Sequence, residues 1–284
     1  MSSHARRAPG ARPRSPAPPP PPPSLLDLPR EPLRHALYEH CVTDPPRLCR
    51  FIDAVHARRP LVLREDFSGT AALARHWAAR SPAHRAFAVD SDPRVLRGVA
   101  SSPRTTPRPL DARAARDRAD VIAATNFPLG YFHRRPDLVG YLRRVRACLK
   151  PRGLFLCDTY GGRDAFTPLK LTARLRGPSG ERIEHTWEQR AADPLTGRVI
   201  DALHFRVSAP GRRAVVLRDA FVYDWRLWSI TELRDALADA GFAGVEVYAT
   251  LGDAIDQRGR LRVRPVSDPT DLPDTYVVYV VARG

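Results

Sequence analysis

The spacing of apolar residues changes character near residue 60. Before it, two helical patterns run around PLRHALYEHCV and PPRLCRFIDAVHARR, with Asp44 placed to cap the second ahead of Pro45 and Pro46. After it, LVLRED (61–66) reads as a short buried strand, GTAALARHWAAR (69–80) as a helix and RAFAVDSD (85–92) as a strand. PRVLRGVAS follows as a helix opened by Pro93. The alternation continues through a strand ending at PLD (109–111), a strand ADVIAATN (119–126), a helix PDLVGYLRRVRACLK (136–150) and a buried strand GLFLCDTY (153–160). Strands that alternate with helices predict a parallel sheet, because each parallel connection needs a crossover.

From residue 169 to 228 the pattern turns antiparallel. RIEHTWEQR, GRVIDALHFRVS and RAVVLRDAFVYDW read as three strands separated by the turn-rich ADPLTG and APGR. Val199, Leu203, Phe205 and Val207 share a face by period two, with Asp201 interrupting the stripe. SITELRDALADAGF then opens on a capping box, Ser229 to Glu232, and closes at Gly241, before two last strands, VEVYAT and TYVVYVVAR. The expectation is an α/β fold: a mostly parallel, seven-stranded sheet with helices on both faces, and a small antiparallel meander inserted at 169–228. The helices of 25–59 would form an N-terminal lid or brace for a main domain at 60–284. Residues 1–24 carry little apolar side chain to bury and read as a Pro-rich, disordered tail.

The formal charge of +15 raises the possibility of a nucleic-acid partner, because clustered cations release counterions from phosphates. The distribution argues against it. Of 46 basic residues only Lys150 and Lys170 are lysine, and the arginines are scattered among Ala and Pro along the whole chain. Cys41, Cys49, Cys148 and Cys157 form no C-x-x-C pair and no metal-ligand spacing with the histidines, so no metal is expected. Reduced thiols, the lack of a membrane-length apolar run and the lack of a secretory signal's apolar core point to a cytoplasmic protein without a membrane partner.

Candidate chemistry concentrates at the carboxyl ends of the predicted strands, where open parallel sheets bind ligands. The first strand ends in Glu65, Asp66, Phe67, Ser68, Gly69 and Thr70, and Asp90 ends the second, followed by Ser91. An acid in that second position reaches a ribose diol. A pyrophosphate wants a glycine-lined helix start without a competing anion, whereas this turn has two carboxylates and one glycine. A cationic cofactor fits it better than a dinucleotide.

These segments resemble the class I S-adenosylmethionine (SAM)-dependent methyltransferases over residues 60–284, a Rossmann-like family. LREDFSGTA resembles the first motif, with its acid at Glu65 and central glycine at Gly69; AVDSDP resembles the second, with the ribose-binding acid at Asp90. PLDAR places Asp111 where an acid commonly meets the adenine amine, ADVIAATNFPLGYF resembles the fourth-strand motif beside the transferred methyl, and LKPRGLFLCDTYGG the helix–turn–strand after it. The resemblance implies a cofactor site of Glu65, Phe67, Ser68, Gly69, Thr70, Asp90, Ser91, Asp111 and Asn126. The family's outer two glycines are replaced here by Phe67 and Ala71.

Methyl transfer from a sulfonium is a direct displacement, so an enzyme mainly orients the acceptor and excludes water. Asn126, Tyr131, His133, Asp158 and Tyr160 are the candidate side chains near the acceptor, His133 being the weaker because RRP follows it. Trp187, Tyr223, Trp225 and Trp228 of the meander could line a pocket for a small, flat or cationic acceptor. Two alternatives stand beside a small-molecule methyltransferase. Asn126-Phe127-Pro128-Leu129 weakly resembles a motif that holds a flipped nucleobase, which would make the substrate RNA or DNA. The missing glycines admit a non-catalytic binding protein on the same fold.

Overall fold

The computed structural model describes residues 23–56, 58–99, 104–252, 254–255 and 261–284. All but the last two residues of the predicted Pro-rich tail therefore lie outside the described residues. Among the described residues a short 3-10 turn (Leu25–Asp27) precedes helices α1 (Arg30–Val42) and α2 (Pro45–His56). The alternating part follows as β1 (Val62–Asp66), α3 (Ala72–Ala79), β2 (Arg85–Asp90), α4 (Pro93–Leu96), β3 (Thr105–Pro109), β4 (Ala119–Ala124), α5 (Arg135–Cys148) and β5 (Leu149–Gly162). The antiparallel part is β6 (Leu169–Arg176), β7 (Arg182–Asp193), β8 (Arg198–Ser208) and β9 (Val215–Arg226). It leads to α6 (Ile230–Asp239), β10 (Gly244–Tyr248), the short pair β11 (Ala254–Ile255) and β12 (Leu261–Arg262), and finally β13 (Thr275–Arg283).

Seven strands form the main sheet in the order β10-β13-β5-β4-β1-β2-β3. β1 pairs in parallel with β2 and β4, and β4 with β5, while β13 runs antiparallel to both of its neighbours. The order reverses at β1 and β4, so the crevice beyond their carboxyl ends is the switch point at which such sheets bind ligands. Period-two alternation sorts β1 between the two faces. Leu63 packs with Phe51 and Ile52 of α2 and Trp77 of α3; on the other face Ile122, Leu142 of α5 and Leu237 of α6 share one core.

The meander is a four-stranded sheet, β6-β7-β8-β9, one strand more than the pattern predicts. β6 alternates Leu169, Leu171, Ala173 and Leu175 with polar residues, but it is a mostly exposed edge strand whose apolar face covers little. Leu33 and Leu37 of α1 are fully buried against Ile183, Phe205 and Val207 of the meander. The first helix thus clamps the insertion, whereas α2 braces α3 and the sheet. Asp201, the break in the apolar stripe of β8, is completely buried and accepts the Tyr160 hydroxyl at 2.9 Å. It is an interior acid bonded through one oxygen, with the other buried and unpartnered, and no defect in the strand.

Other departures are local. α3 starts at Ala72, three residues later than its apolar pattern, because Gly69, Thr70 and Ala71 are spent on the turn after β1. The strand expected to end at Asp111 ends at Pro109, and Asp111 caps the short helical turn that follows by accepting Arg113 N–H. The capping box of α6 is complete, with Ser229 and Glu232 bonding each other's backbone amides. Among the described residues no helix is long and apolar enough to cross a membrane.

Candidate functional site

The turn between β1 and α3 is left-handed at three positions: Phe67 (φ 57°), Gly69 (φ 51°) and Ala71 (φ 61°). For the two residues that carry a Cβ this conformation costs about 1–2 kcal/mol each, so surrounding bonds must hold it. Ser68 N–H bonds Val89 O at 2.9 Å, Ala71 N–H bonds Ser68 O at 2.8 Å, and Gly69 N–H bonds Asp90 Oδ2 at 2.8 Å. The turn thus holds three left-handed positions with one glycine. Phe67 adds an aromatic wall, stacked over Tyr131 with 6.3 Å between ring centroids.

Glu65 projects toward α3 and accepts Ala74 N–H at 2.8 Å, the role a side-chain cap would otherwise fill at a helix whose N-cap residue is alanine. Burial pushes its carboxyl up to about 8, against the pull of the helix amides. Asp66, one residue on, points through the opposite face. It pairs with Arg64 at 2.9 Å and accepts the Tyr141 hydroxyl at 2.9 Å, all three fully buried. Only one of the two acids of the turn therefore faces the crevice, which corrects the expectation that both do.

A cavity of about 610 Å³ opens beyond the carboxyl ends of β1, β2 and β4. Glu65, Phe67, Ser68, Gly69 and Thr70 line it from the first turn, Asp90 and Ser91 from the end of β2, Asp111 after β3 and Asn126 after β4. All nine residues proposed from the sequence to hold the cofactor thus line one cavity. Ser68 Oγ is buried there without a hydrogen-bond partner. Asp90 accepts Gly69 N–H through one oxygen and Asp92 N–H through the other, while Asp92 itself caps α4. The Arg113 guanidinium grips Asp111 bidentately and holds its carboxyl below the usual range.

After β4 the chain again turns left-handed, at Asn126 (φ 69°) and Phe127 (φ 66°). Asp158 on β5 fixes both, accepting their backbone N–H groups at 2.7 Å each, and burial raises its carboxyl to about 7. Asp158 is therefore a positioning residue for the loop. Gly130 follows in the same loop, where an added Cβ would lie 2.6 Å from the Trp225 ring. That close approach seats the meander on the mouth of the cavity.

A second chamber of about 450 Å³ adjoins the first, the two sharing Tyr38, Asn126, Tyr223 and Trp225 as walls. Tyr160 lines the second chamber and Tyr131 the first, whereas His133 lines neither. His133 instead bonds Asp224 O at 2.9 Å on the outer side of β9, so it is dropped as a base. Trp187, Tyr223 and Trp225 face the chambers as expected from the sequence, with Tyr223 and Trp225 stacked at 4.1 Å. Trp228 does not: it is buried, and its indole N–H donates to Leu129 O at 3.1 Å.

Sequence reasoning missed Arg34, His35 and Tyr38 of α1, which line the first cavity from above. Their only signal was a helix with polar groups on the side away from Leu33 and Leu37. It also missed the buried bond from Tyr160 to Asp201.

No protein-family model matches the chain, and no curated protein matches it by sequence. Solved structures do match by fold. A SAM-dependent methyltransferase from Clostridium acetobutylicum superposes with a TM-score of 0.61 at 14% identity, over 88% of this chain and 97% of its own. SAM-bound CalS10, an amino pentose methyltransferase from Micromonospora echinaspora, gives 0.60 at 15% identity, over 88% and 96%. The sugar N-methyltransferase KedS8 from Streptoalloteichus gives 0.60 at 15%, over 88% and 92%. With the strand order and the antiparallel β13, these likenesses establish that the chain has the fold of the class I SAM-dependent methyltransferases.

Proposed function

We propose that this protein is a SAM-dependent methyltransferase acting on a small-molecule acceptor. The observation that carries the reading is the first cavity: Glu65, Asp90 and the unpartnered Ser68 hydroxyl converge on it at the switch point of the sheet. The residues fit the cofactor. Glu65 supplies an acid for an ammonium group, Ser68 Oγ a buried hydroxyl in need of a partner, and Asp90 carboxylate oxygens for a ribose diol. Gly69 presents open space where a Cβ would stand, so backbone can approach the ligand.

When bound, SAM supplies a methyl group activated by its sulfonium. The chain's residues then have to orient and desolvate. Asp158 holds the Asn126–Phe127 turn at the junction of the two chambers, so the acceptor enters against a fixed backbone. The meander and α1 cover that junction with Tyr38, Tyr223 and Trp225, which excludes water. The retained left-handed turn at Phe67 and Ala71 speaks against loss of the cofactor site.

A small-molecule acceptor is supported by the size of the second chamber, about 450 Å³, and the amino pentose and sugar methyltransferases of the same fold work on such molecules. All four cysteines are free thiols, which supports a cytoplasmic setting. Calorimetric titration with SAM and with its demethylated product, S-adenosylhomocysteine, tests the reading. Dissociation constants below about 100 μM are expected. Absence of binding by the full chain at millimolar ligand sinks it.

A further inference from the structure

The second chamber specifies what kind of acceptor it takes. Its walls are aromatic and aliphatic: Phe127, Tyr160, Trp187, Leu203, Tyr223 and Trp225 surround most of it. Among the described residues none of its lining side chains is Asp, Glu, Lys or Arg. The same chain carries 77 such residues, 46 basic and 31 acidic, so the exclusion is local. The adjoining first cavity, by contrast, is lined by Arg34, Glu65, Asp90, Asp92, Arg94, Asp111 and Arg113.

Of the polar groups on and behind these walls, Trp225 Nε1 and His185 Nε2 are buried without a partner, and others are spent. The Tyr160 hydroxyl donates to Asp201 at 2.9 Å, and the Gln189 amide behind it donates to Ala165 O and Thr167 O at 3.0 Å each. The ring planes are fixed as well. Tyr160 meets Phe127 and Trp187 edge-on, at centroid distances of 5.2 and 6.0 Å, and Tyr223 stacks on Trp225 at 4.1 Å. Leu171 and Val277 are exposed beside these walls and line the same chamber, which gives an apolar rim.

We propose that the second chamber binds a neutral, planar and largely apolar acceptor of two or three fused rings, which presents its nucleophilic atom toward Asn126. The inference rests on the methyltransferase reading for the word acceptor, but the chamber's ligand chemistry stands on its own walls. A cavity of about 450 Å³ suits a ligand of that size. A ligand with one or two polar atoms can meet the unpartnered Trp225 and His185 nitrogens, whereas a hydroxyl-rich sugar would set its remaining hydroxyls against aromatic and aliphatic walls, each costing on the order of tenfold in affinity. A nucleotide-linked molecule would bring phosphates to a wall without a cation. An ammonium acceptor would find aromatic faces but no carboxylate on the wall.

The test is calorimetry on the full chain, with and without saturating S-adenosylhomocysteine, using three probes: 2-naphthol, (2-naphthylmethyl)ammonium and methyl α-D-glucopyranoside. The expected result is that 2-naphthol binds at least tenfold more tightly than either of the others. Leu171→Glu, at the exposed rim, and Trp187→Ala, in the wall, are each expected to weaken 2-naphthol at least fivefold with S-adenosylhomocysteine affinity unchanged. Equal or tighter binding of the ammonium or the glycoside overturns the inference, as does 2-naphthol binding that neither substitution weakens. Failure of 2-naphthol while S-adenosylhomocysteine binds refutes this inference alone. Failure of S-adenosylhomocysteine while 2-naphthol binds refutes the methyltransferase reading alone.

Discussion

Asp90 Oδ2 accepts the Gly69 amide at 2.8 Å, tying the end of β2 to the turn after β1 across the cavity floor. The bond does two things. It holds Gly69 at φ 51° midway between the left-handed Phe67 and Ala71, and it aims the Asp90 carboxylate at the place where a ribose would lie. Asp90→Ala removes it together with the Asp92 amide bond at 2.9 Å. Expected losses are about 1–3 kcal/mol of stability and at least tenfold in SAM affinity. Asp90→Asn keeps an acceptor oxygen and loses less of both. Urea unfolding and calorimetry measure the two effects; unchanged SAM affinity in Asp90→Ala counts against the assigned site.

Glu65 and Asp66 are neighbours with opposite duties, because successive strand residues face opposite sides of the sheet. Glu65→Gln puts a neutral isostere beside Ala74, so the fold persists while an ammonium loses its partner. SAM affinity is expected to fall at least tenfold with the melting temperature within a few degrees of the parent. Asp66→Ala strands the fully buried Arg64 guanidinium, for which about 3–5 kcal/mol of destabilisation is expected. Its folded fraction is expected to bind SAM normally. A reversal of the two phenotypes would show that the acids have been assigned to the wrong faces.

Much of this site could be read in the chain, since Glu65, Gly69, Asp90 and Asp111 sit at strand ends and strand ends are marked by short apolar runs. The separation of Glu65 from Asp66 also lay in the period of β1, where Leu63 and Glu65 alternate with Arg64 and Asp66. A loop reading of the acids concealed it. Tyr38 was hidden for another reason. Its helix belongs to a segment remote in sequence, and what brings it over the cavity is burial of Leu33 and Leu37 against Phe205, a contact no local pattern encodes. β6 escaped because an edge strand buries one flank only, so its alternation lacked the turn signals and β-branched residues that marked its neighbours.

Three buried carboxyls, Glu65, Asp158 and Asp201, have been raised to about 8, 7 and 6 by loss of solvent. In the unfolded chain each returns to the ordinary range near 4. The folded state therefore holds more protons between pH 4 and 8, and stability contributed by the neutral acids is lost as pH rises through their folded values. Burial lowers His35, His56, His76, His84 and His185, which works the other way below their ordinary value, so the melting temperature of the ligand-free protein is expected to fall from about pH 6.5 to pH 8. Asp158→Asn removes one of the three contributions and flattens the slope, at the cost of one of the two amide bonds to Asn126 and Phe127. Calorimetric scans at constant ionic strength decide it; a melting temperature that climbs steadily across this range contradicts the burial argument.

The same Glu65 makes cofactor affinity depend on pH. With its carboxyl raised to about 8, the ligand-free protein at pH 6 carries it neutral, and a neutral acid gives an ammonium no charge partner. An ammonium that binds beside it favours the ionised form, so binding releases a proton below pH 8. SAM affinity is expected to rise with pH, by up to tenfold per unit between about pH 6 and 7.5. Above that the trend reverses, because the ligand's own α-amino group loses its proton near 7.7–8.0. Titrations in two buffers of different ionisation enthalpy measure the proton released, and Glu65→Gln is expected to abolish the rising limb while leaving the falling one. An affinity that is flat below pH 7.5 in the parent protein would mean that Glu65 serves α3 alone and does not meet the ligand.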